Sequence, residues 1–515
     1  MAGIDYNKIS IEFMKNGFFS EYLPAAFTLE NDFDIFSIDL NQKSDLVEPL
    51  SFNMSRFTEG GNRRTIYLPE LASYLATVKY MNEHHIIKDL IMLAKDVHSF
   101  SPLVQKNGEM TRHERDYNFG VAIGQADQDA IKSTYIPNIV DKIQRSKGSK
   151  GILSVDISNF YPSIYTHLIP CIKLGYDEAE LQYKASKANN ADPIISDDYR
   201  KYVKLDLLIR NMNVGRTNGL LPGILISQFL AESLLSRVDK ELKNCGLNFV
   251  RYVDDYEIFI YDENQINRIH NSVVSTLKKF FLVLNNEKTK YTKFPFYVVE
   301  NLEKIYSNYT GKPIEPSEVM KMFNTYFELE ANGTKGAIRF LIKSIDQSFV
   351  CPNKKLYTAY LLNVLVNDGR SLVKVCQLMI KDKQKLKFSD EDIFIIENLL
   401  VQHLDANNHL EAIWLLYLRR KLGKKKLSAK LIYKILYSTN ELAIVMLIEE
   451  FESSLSTKMK EECKGIANSW ILCYQLYLHN YFTKDSFIQK SKIKNNVAFY
   501  SALKRNNFTF YKHDT

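Results

Sequence analysis

The sequence predicts an α+β N-terminal part followed by an all-α C-terminal part. Three observations carry this. Arg251-Tyr252-Val253-Asp254-Asp255-Tyr256 sits between the apolar runs Leu247-Asn248-Phe249-Val250 and Glu257-Ile258-Phe259-Ile260-Tyr261, the pattern of strand, tight turn and strand. Upstream of residue 300, short strand-like runs alternate with helical ones. Downstream, apolar side chains recur almost wholly at helical spacing.

The length, 515 residues, exceeds one ordinary core and implies two or three domains. A hydrophobic content of 45% fits folded domains, not disorder. The first sixteen residues carry charges and no long apolar run, so no signal peptide is expected. No 18-residue apolar run exists, so no membrane span is expected either. The six cysteines occur singly, without a Cys-x-x-Cys, which argues against a zinc ribbon and fits a reducing cytosol. A net charge of +7 is compatible with a polyanionic partner but does not demand one.

In the C-terminal part, periodicity predicts helices over Leu356–Met379, Asp390–Leu404, Leu410–Leu422, Leu427–Tyr437 and Glu441–Phe451. Asn408-His409-Leu410-Glu411-Ala412-Ile413 and Asn440-Glu441-Leu442-Ala443-Ile444 read as one helix start repeated. That repetition suggests stacked helix pairs; an irregular bundle is the alternative. Arg419, Arg420, Lys421, Lys424, Lys425 and Lys426 form a basic cluster, read as a solvated helix end or a nucleic-acid contact. Pro313, Pro316 and Asn332-Gly333 punctuate residues 311–335, so the domains are placed at 1–310 and 311–515.

The chemistry concentrates in acids. Gly151-Ile152-Leu153-Ser154-Val155-Asp156 ends an apolar strand on a carboxylate, about a hundred residues before the Asp254-Asp255 pair. Three carboxylates on neighbouring strands repel one another, a cost that makes sense if hard divalent cations neutralise them. Two such ions can stabilise both the attacking and the leaving oxygen of a phosphoryl displacement. Between the acids, Gly219-Leu220-Leu221-Pro222-Gly223 is a glycine-bearing turn into a helix that starts near Ser227-Gln228. Gly223 could let backbone approach a ligand closely. After the pair comes Asn285-Asn286-Glu287-Lys288, whose lysine could protonate a leaving pyrophosphate, although alone it also reads as a surface lysine. Phe294-Pro295-Phe296-Tyr297 then forms an aromatic knot.

This succession resembles the reverse transcriptases over residues 15 to 300. Asp156 matches their first palm motif, Gly223 and Ser227 the second, Tyr252 to Asp255 the third, Lys288 the fourth, and Phe294 to Tyr297 the fifth. Gly61-Asn62-Arg63-Arg64-Thr65-Ile66-Tyr67-Leu68-Pro69 resembles their fingers strand. The resemblance implies a right-hand polymerase with fingers and palm, the palm spanning roughly 150–175 and 223–300. It implies that Asp156, Asp254, Asp255 and the Ile157 carbonyl hold two Mg2+ ions, or Mn2+. Arg63 or Arg64 would pair with the triphosphate, and Phe160 and Tyr161 would line the nucleotide site, with Tyr161 as the gate against a ribose 2′-hydroxyl.

A finer resemblance is to the abortive-infection, AbiK-like branch. It rests on Asp156-Ile157-Ser158-Asn159-Phe160-Tyr161, Tyr165-Thr166-His167, Ser227 without a following proline, Arg251-Tyr252-Val253-Asp254-Asp255, Lys288-Thr289-Lys290 and Lys335-Gly336-Ala337-Ile338-Arg339. That branch implies untemplated synthesis from dNTPs, started on a tyrosine of the protein itself. The single-stranded DNA product stays covalently attached. It further implies a homo-oligomeric ring (trimer or hexamer), HEAT-like helix pairs in place of a thumb, and defence against phage in the bacterial cytosol. Tyr6 and Tyr22 are the candidate primers by that analogy. Gln228, where many reverse transcriptases carry proline, and Pro222, one residue later than usual, depart from the pattern. No ribonuclease H or integrase signature follows the palm. A template-copying defence or retron-type enzyme is the alternative within the class. A phage-sensing helical scaffold with a nucleotide-binding palm is the alternative outside it.

Overall fold

The computed structural model describes residues 6–41, 43–55, 63–93, 99–101, 103, 135–189, 192–296, 302–309, 315–345, 349–424 and 426–513. Two sheets and a long series of helices make up the chain. Strands β1 (Leu50–Met54) and β2 (Arg64–Leu68) pair antiparallel, with Asn53 opposite Thr65. The larger sheet comprises β3 (Gly151–Asp156), β4 (Phe249–Tyr252), β5 (Asp255–Ile260) and β6 (Lys290–Lys293). Its order is β4-β5-β3-β6, antiparallel throughout.

The pleat sorts the side chains of this sheet. Leu153, Val155, Tyr256, Ile258 and Ile260 face the main core. Ile152, Val250 and Phe259 point the other way and form a small separate cluster with Phe100, flanked by Tyr252 and Phe296. On the main-core side, the helix Leu225–Asn244 lies under β4 and β5. Its Asp239 accepts a hydrogen bond from the Tyr256 hydroxyl (2.8 Å). On the other side, residues 99–101 strap the edge of β4, where the Phe100 amide donates to the Arg251 carbonyl (2.7 Å).

The C-terminal helices stack in two layers. Asp390–Asp405, Ala429–Leu436 and Thr457–Ile466 touch in succession on one side; His409–Lys421, Glu441–Phe451 and Trp470–Leu478 touch in succession on the other. The repeated helix start is visible as a contact: the Asn440 amide group donates to the His409 carbonyl (2.9 Å), and Glu441 accepts from the Ser469 amide. The long periodic segment expected over Leu356–Met379 is two helices, Lys354–Asn367 and Leu372–Lys381. Asp368 breaks it by accepting from the Ser371 hydroxyl and the Arg370 guanidinium, a local bond that competes with helix continuation.

The basic cluster is absorbed internally in part. Arg419 is buried and donates to the carbonyls of Lys424 and Lys426 and to Glu397. Arg420 pairs with Glu450, and Lys424 with Asp390. Lys425 lies outside the described residues. These charges close a helix C-terminus, where cations meet the exposed carbonyls.

Among the described residues the last strand ends at Lys293, and the hydrophobic core runs on from the strand-bearing part into the helices that follow. The N-terminal segment joins the parts. Phe18 stacks edge-on against Trp470, the Trp414 indole donates to the Tyr22 carbonyl (2.8 Å), and Phe27 bridges to Tyr511. Asp45 accepts from the amides of Lys494, Asn495 and Asn496. Among the described residues, no helix is long and apolar enough to cross a membrane. All six cysteines are free, five of them buried.

Candidate active site

The register of β3 against β5 sets Asp156 directly opposite Asp255. Val253 and Asp254 form the turn between β4 and β5, so the third carboxylate is delivered at the same sheet end. The Ile157 amide donates to the Asp254 carbonyl (3.3 Å), tying the two acid-bearing segments together. Val253 has φ 50°, in the left-handed region. For a β-branched residue that conformation costs about 1–3 kcal/mol.

Two groups hold this strained turn. The Arg251 guanidinium donates to the Val253 carbonyl (2.9 Å), and the Val253 amide donates to the Ser101 hydroxyl oxygen (2.9 Å). Arg251 is fully buried and also donates to both carboxylate oxygens of Glu232 and of Asp239. Burial opposes its charge, but Asp239 and then Glu232 outweigh that and hold it protonated. Sequence reasoning did not assign Glu232 and Asp239 a part. The available signal was two acids seven residues apart on the otherwise apolar face of one helix.

Lys288 bonds Asp156 through its ammonium, 2.7 Å from Oδ2. The Asn285 amide donates to the Asp156 carbonyl (2.8 Å), which brings the Lys288 turn to the end of β3. The hydrogen bond to Asp156 raises the Lys288 pKa, and the neighbouring acids add to the effect. Asp254 titrates above its ordinary range because of burial and then the Asp156 charge, with Arg64 and Lys288 acting against the rise. Asp255 is pushed up to about 7 by burial, then by Asp254 and Asp156.

Hard carboxylate oxygens under mutual repulsion are the donor chemistry that Mg2+ or Mn2+ requires, so the residues fit the implied ions. Among the described residues, no group of three acidic, histidine or cysteine side chains is already gathered at ligating distance. One oxygen of Asp156 is instead engaged by Lys288. The Ile157 side chain is buried just beyond Asp156.

The fingers strand splits its two arginines. Arg64 is exposed, and its charge acts on Asp254 and on Tyr161. Arg63 points elsewhere, to Glu411 and Asn53. Gly61 and Asn62 lie outside the described residues, as does Tyr297 of the aromatic knot; Phe294 and Phe296 meet edge-on.

Gly223 has φ 109°, and a β-carbon there would lie 2.3 Å from the Ile66 Cγ2. The missing side chain of Gly223 admits β2. The Tyr67 amide bonds the Pro222 carbonyl (2.9 Å) at the same seam. Ser227 is buried in the following helix.

Phe160 is buried, and its ring meets that of Tyr161. Tyr161 accepts at its carbonyl from the Leu220 amide (3.0 Å). Its phenol is pushed upward by burial, then by Asp254, Glu232 and Tyr22. Tyr6 instead donates to the Met92 sulfur (3.5 Å) and lies under Lys88.

Residues 84–311 match the family model described as reverse transcriptase (RNA-dependent DNA polymerase). No curated protein sequence matches the chain. Among solved structures, similarity extends to telomerase from Candida albicans in complex with a fragment of telomeric RNA. That alignment has 12% identity and a TM-score of 0.28, over 71% of this chain and 64% of that one. It also extends to apo telomerase from Candida tropicalis, with 11% identity and a TM-score of 0.32, over 82% of this chain and 68% of that one. Asp156, the Asp254-Asp255 turn and Lys288 all fall within the family match, and residues 84–311 carry a reverse transcriptase family domain.

Proposed function

We propose that the chain is a protein-primed, template-independent DNA polymerase of the reverse-transcriptase kind, acting in defence against phage. The observation that carries the polymerase reading is the Asp156–Asp255 register, with Asp254 in the adjoining turn and Lys288 on Asp156. Asp156, Asp254, Asp255 and the Ile157 carbonyl would hold divalent ions, whose Lewis acidity favours both oxygens of the displacement.

This chain's own residues supply the rest. Arg64 receives the triphosphate of the incoming dNTP. The attacking oxygen, from tyrosine or from a growing 3′ end, forms a bond to the α-phosphorus and loses its proton to solvent. The bond from that phosphorus to the bridging oxygen breaks. Pyrophosphate leaves and takes a proton from Lys288, whose raised pKa keeps it charged beforehand. Tyr161 excludes a 2′-hydroxyl.

Tyr6 and Tyr22 are the two candidate primers; the Tyr22 phenol is within electrostatic reach of Tyr161. Gln228 and Pro222 are consistent with relaxed template use. The untemplated, protein-primed mode, the oligomeric ring and the defence role rest on the resemblance to the AbiK-like branch.

The test is incubation of nuclease-treated protein with Mg2+ and a single labelled dNTP. Label that migrates with the denatured chain, is absent in Asp254→Asn and maps to phosphotyrosine at Tyr6 or Tyr22 supports this reading. Product that disappears when nucleic acid is removed indicates a template-copying enzyme. Phage resistance that survives Asp254→Asn indicates a helical scaffold.

A further inference from the structure

The fingers strand is fastened to the C-terminal helices by a cluster that the polymerase mechanism does not use. Arg63 pairs through Nη2 with Glu411 Oε2 and donates from Nε to Asn53 Oδ1 (2.7 Å). The other Glu411 oxygen accepts from the Ser55 amide (3.1 Å). Asn53 donates to the Asn407 carbonyl (2.8 Å) and accepts from the His409 amide (3.2 Å). Glu411 lies in the first turn of the helix His409–Lys421, with only 3% of its side chain exposed. Both β1 and the residue preceding β2 are therefore held by one helix start of the distant C-terminal part.

Consecutive residues of an extended chain point to opposite faces. With Arg63 anchored on the helical side, Arg64 is left exposed on the opposite face, within electrostatic reach of Asp254. Ile66, on the Arg64 face, seats against Gly223 and fixes the same rotation of the strand. We propose that Glu411 is a positioning residue for the incoming nucleotide: through Arg63 it holds β2 so that Arg64 stays aimed at the triphosphate. The C-terminal helices thereby preorganise the fingers without themselves touching the nucleotide. This rests on the nucleotide-binding reading above.

The test compares full-length wild type with Glu411→Gln, Arg63→Met, the double variant and the charge swap Arg63→Glu/Glu411→Arg. Equilibrium binding of dATP is measured by calorimetry in Ca2+, and KM and kcat for single-dNTP incorporation in Mg2+. Glu411→Gln is expected to weaken dATP binding and raise KM by about tenfold, with kcat changed less than about twofold. Arg63→Met should do the same, the double variant should be no worse than either single, and the swap should regain part of the loss.

A purely structural contact would lower the melting temperature and leave the dissociation constant within about twofold of wild type. That result in a folded Glu411→Gln protein overturns the proposal. If Glu411→Gln fails to fold, Arg63→Met decides by the same criterion. Wild type that binds no dATP in Ca2+ overturns the nucleotide-site reading and this inference together. Normal wild-type binding with unchanged variants overturns this inference alone.

Discussion

The palm hairpin and the ends of the C-terminal helices bury charge in opposite ways. At the helix ends, buried charges meet opposite charges: Arg419 with Glu397, Arg420 with Glu450, Glu449 with His479 and His513. At the hairpin, Asp156, Asp254 and Asp255 crowd one sheet end with Lys288 as their bonded cation. Backbone conformation divides the same way. Left-handed residues of the helical part, such as Asn407, Asn480 and Asn507, occupy links between elements and are mostly asparagine, which tolerates that region. In the palm, Val253 takes it beside the Asp254-Asp255 pair. The helix ends settle their charges within the fold, as Arg251 does with Glu232 and Asp239 beneath the hairpin, whereas the hairpin tip holds carboxylate repulsion beside a strained turn.

The largest expected effect comes from breaking the palm side chemically. Asp254→Asn removes a carboxylate charge at nearly constant volume and should cut dNTP incorporation by about a thousandfold or more. Circular dichroism should show an unchanged fold. Residual incorporation within about tenfold of wild type would deny the hairpin its proposed role.

Next comes the buried cation of each region. Arg251→Met leaves Glu232 and Asp239 buried without their guanidinium and should cost about 3–5 kcal/mol by urea unfolding. Arg419→Met removes a cation whose partner Glu397 is partly open to water. It should cost about 1–3 kcal/mol. Equal costs would erase the contrast between the two regions.

Tyr161→Ala sharpens the contrast from another direction. An aromatic ring kept beside the acids for selection, more than for packing, should change substrate choice first. Discrimination between dNTP and rNTP is expected to fall by about 10–100-fold in competition assays. Unchanged discrimination with a lowered melting temperature would make Tyr161 a packing residue only.

Much of this was legible because local patterns determined it. Period-two alternation around Asp254-Asp255 specified the hairpin, and the helix over Glu441–Phe451 coincides with its sequence pattern. The adjoining apolar run ending at Asp156 gave a strand, but only pairing could set Asp156 opposite Asp255. Contacts between distant segments were illegible for the same reason. Arg63 and Arg64 are equivalent as a sequence string; Glu411, hundreds of residues later, takes Arg63 and leaves Arg64 exposed. The seat of Ile66 against Gly223 was likewise illegible, because nothing local pairs the two. The basic cluster reads in sequence as a solvated helix end or a nucleic-acid contact, and neither reading shows that the carbonyls of Lys424 and Lys426 take a buried Arg419. The break at Asp368 was missed because apolar spacing stays nearly in phase across it.

The smallest effect is the most direct measure of stored repulsion. Asp255 titrates near 7 in the folded chain against an ordinary value of 3.8, with burial and the Asp254 and Asp156 charges as causes. Between these two values the folded chain binds more protons than the unfolded one, so this group lowers stability as pH rises. The penalty is absent below about 4 and complete above about 7. In EDTA, Asp255→Asn should therefore melt higher than wild type at pH 8, with the gap closing as pH falls through 7 toward 4. Added Mg2+ should raise the wild-type melting temperature at pH 8 and leave the variant nearly unmoved, because neutralising the carboxylates removes the same repulsion. Identical melting temperatures at pH 8 in EDTA would mean that solvent already screens the hairpin. The palm would then differ from the helix ends in strain alone.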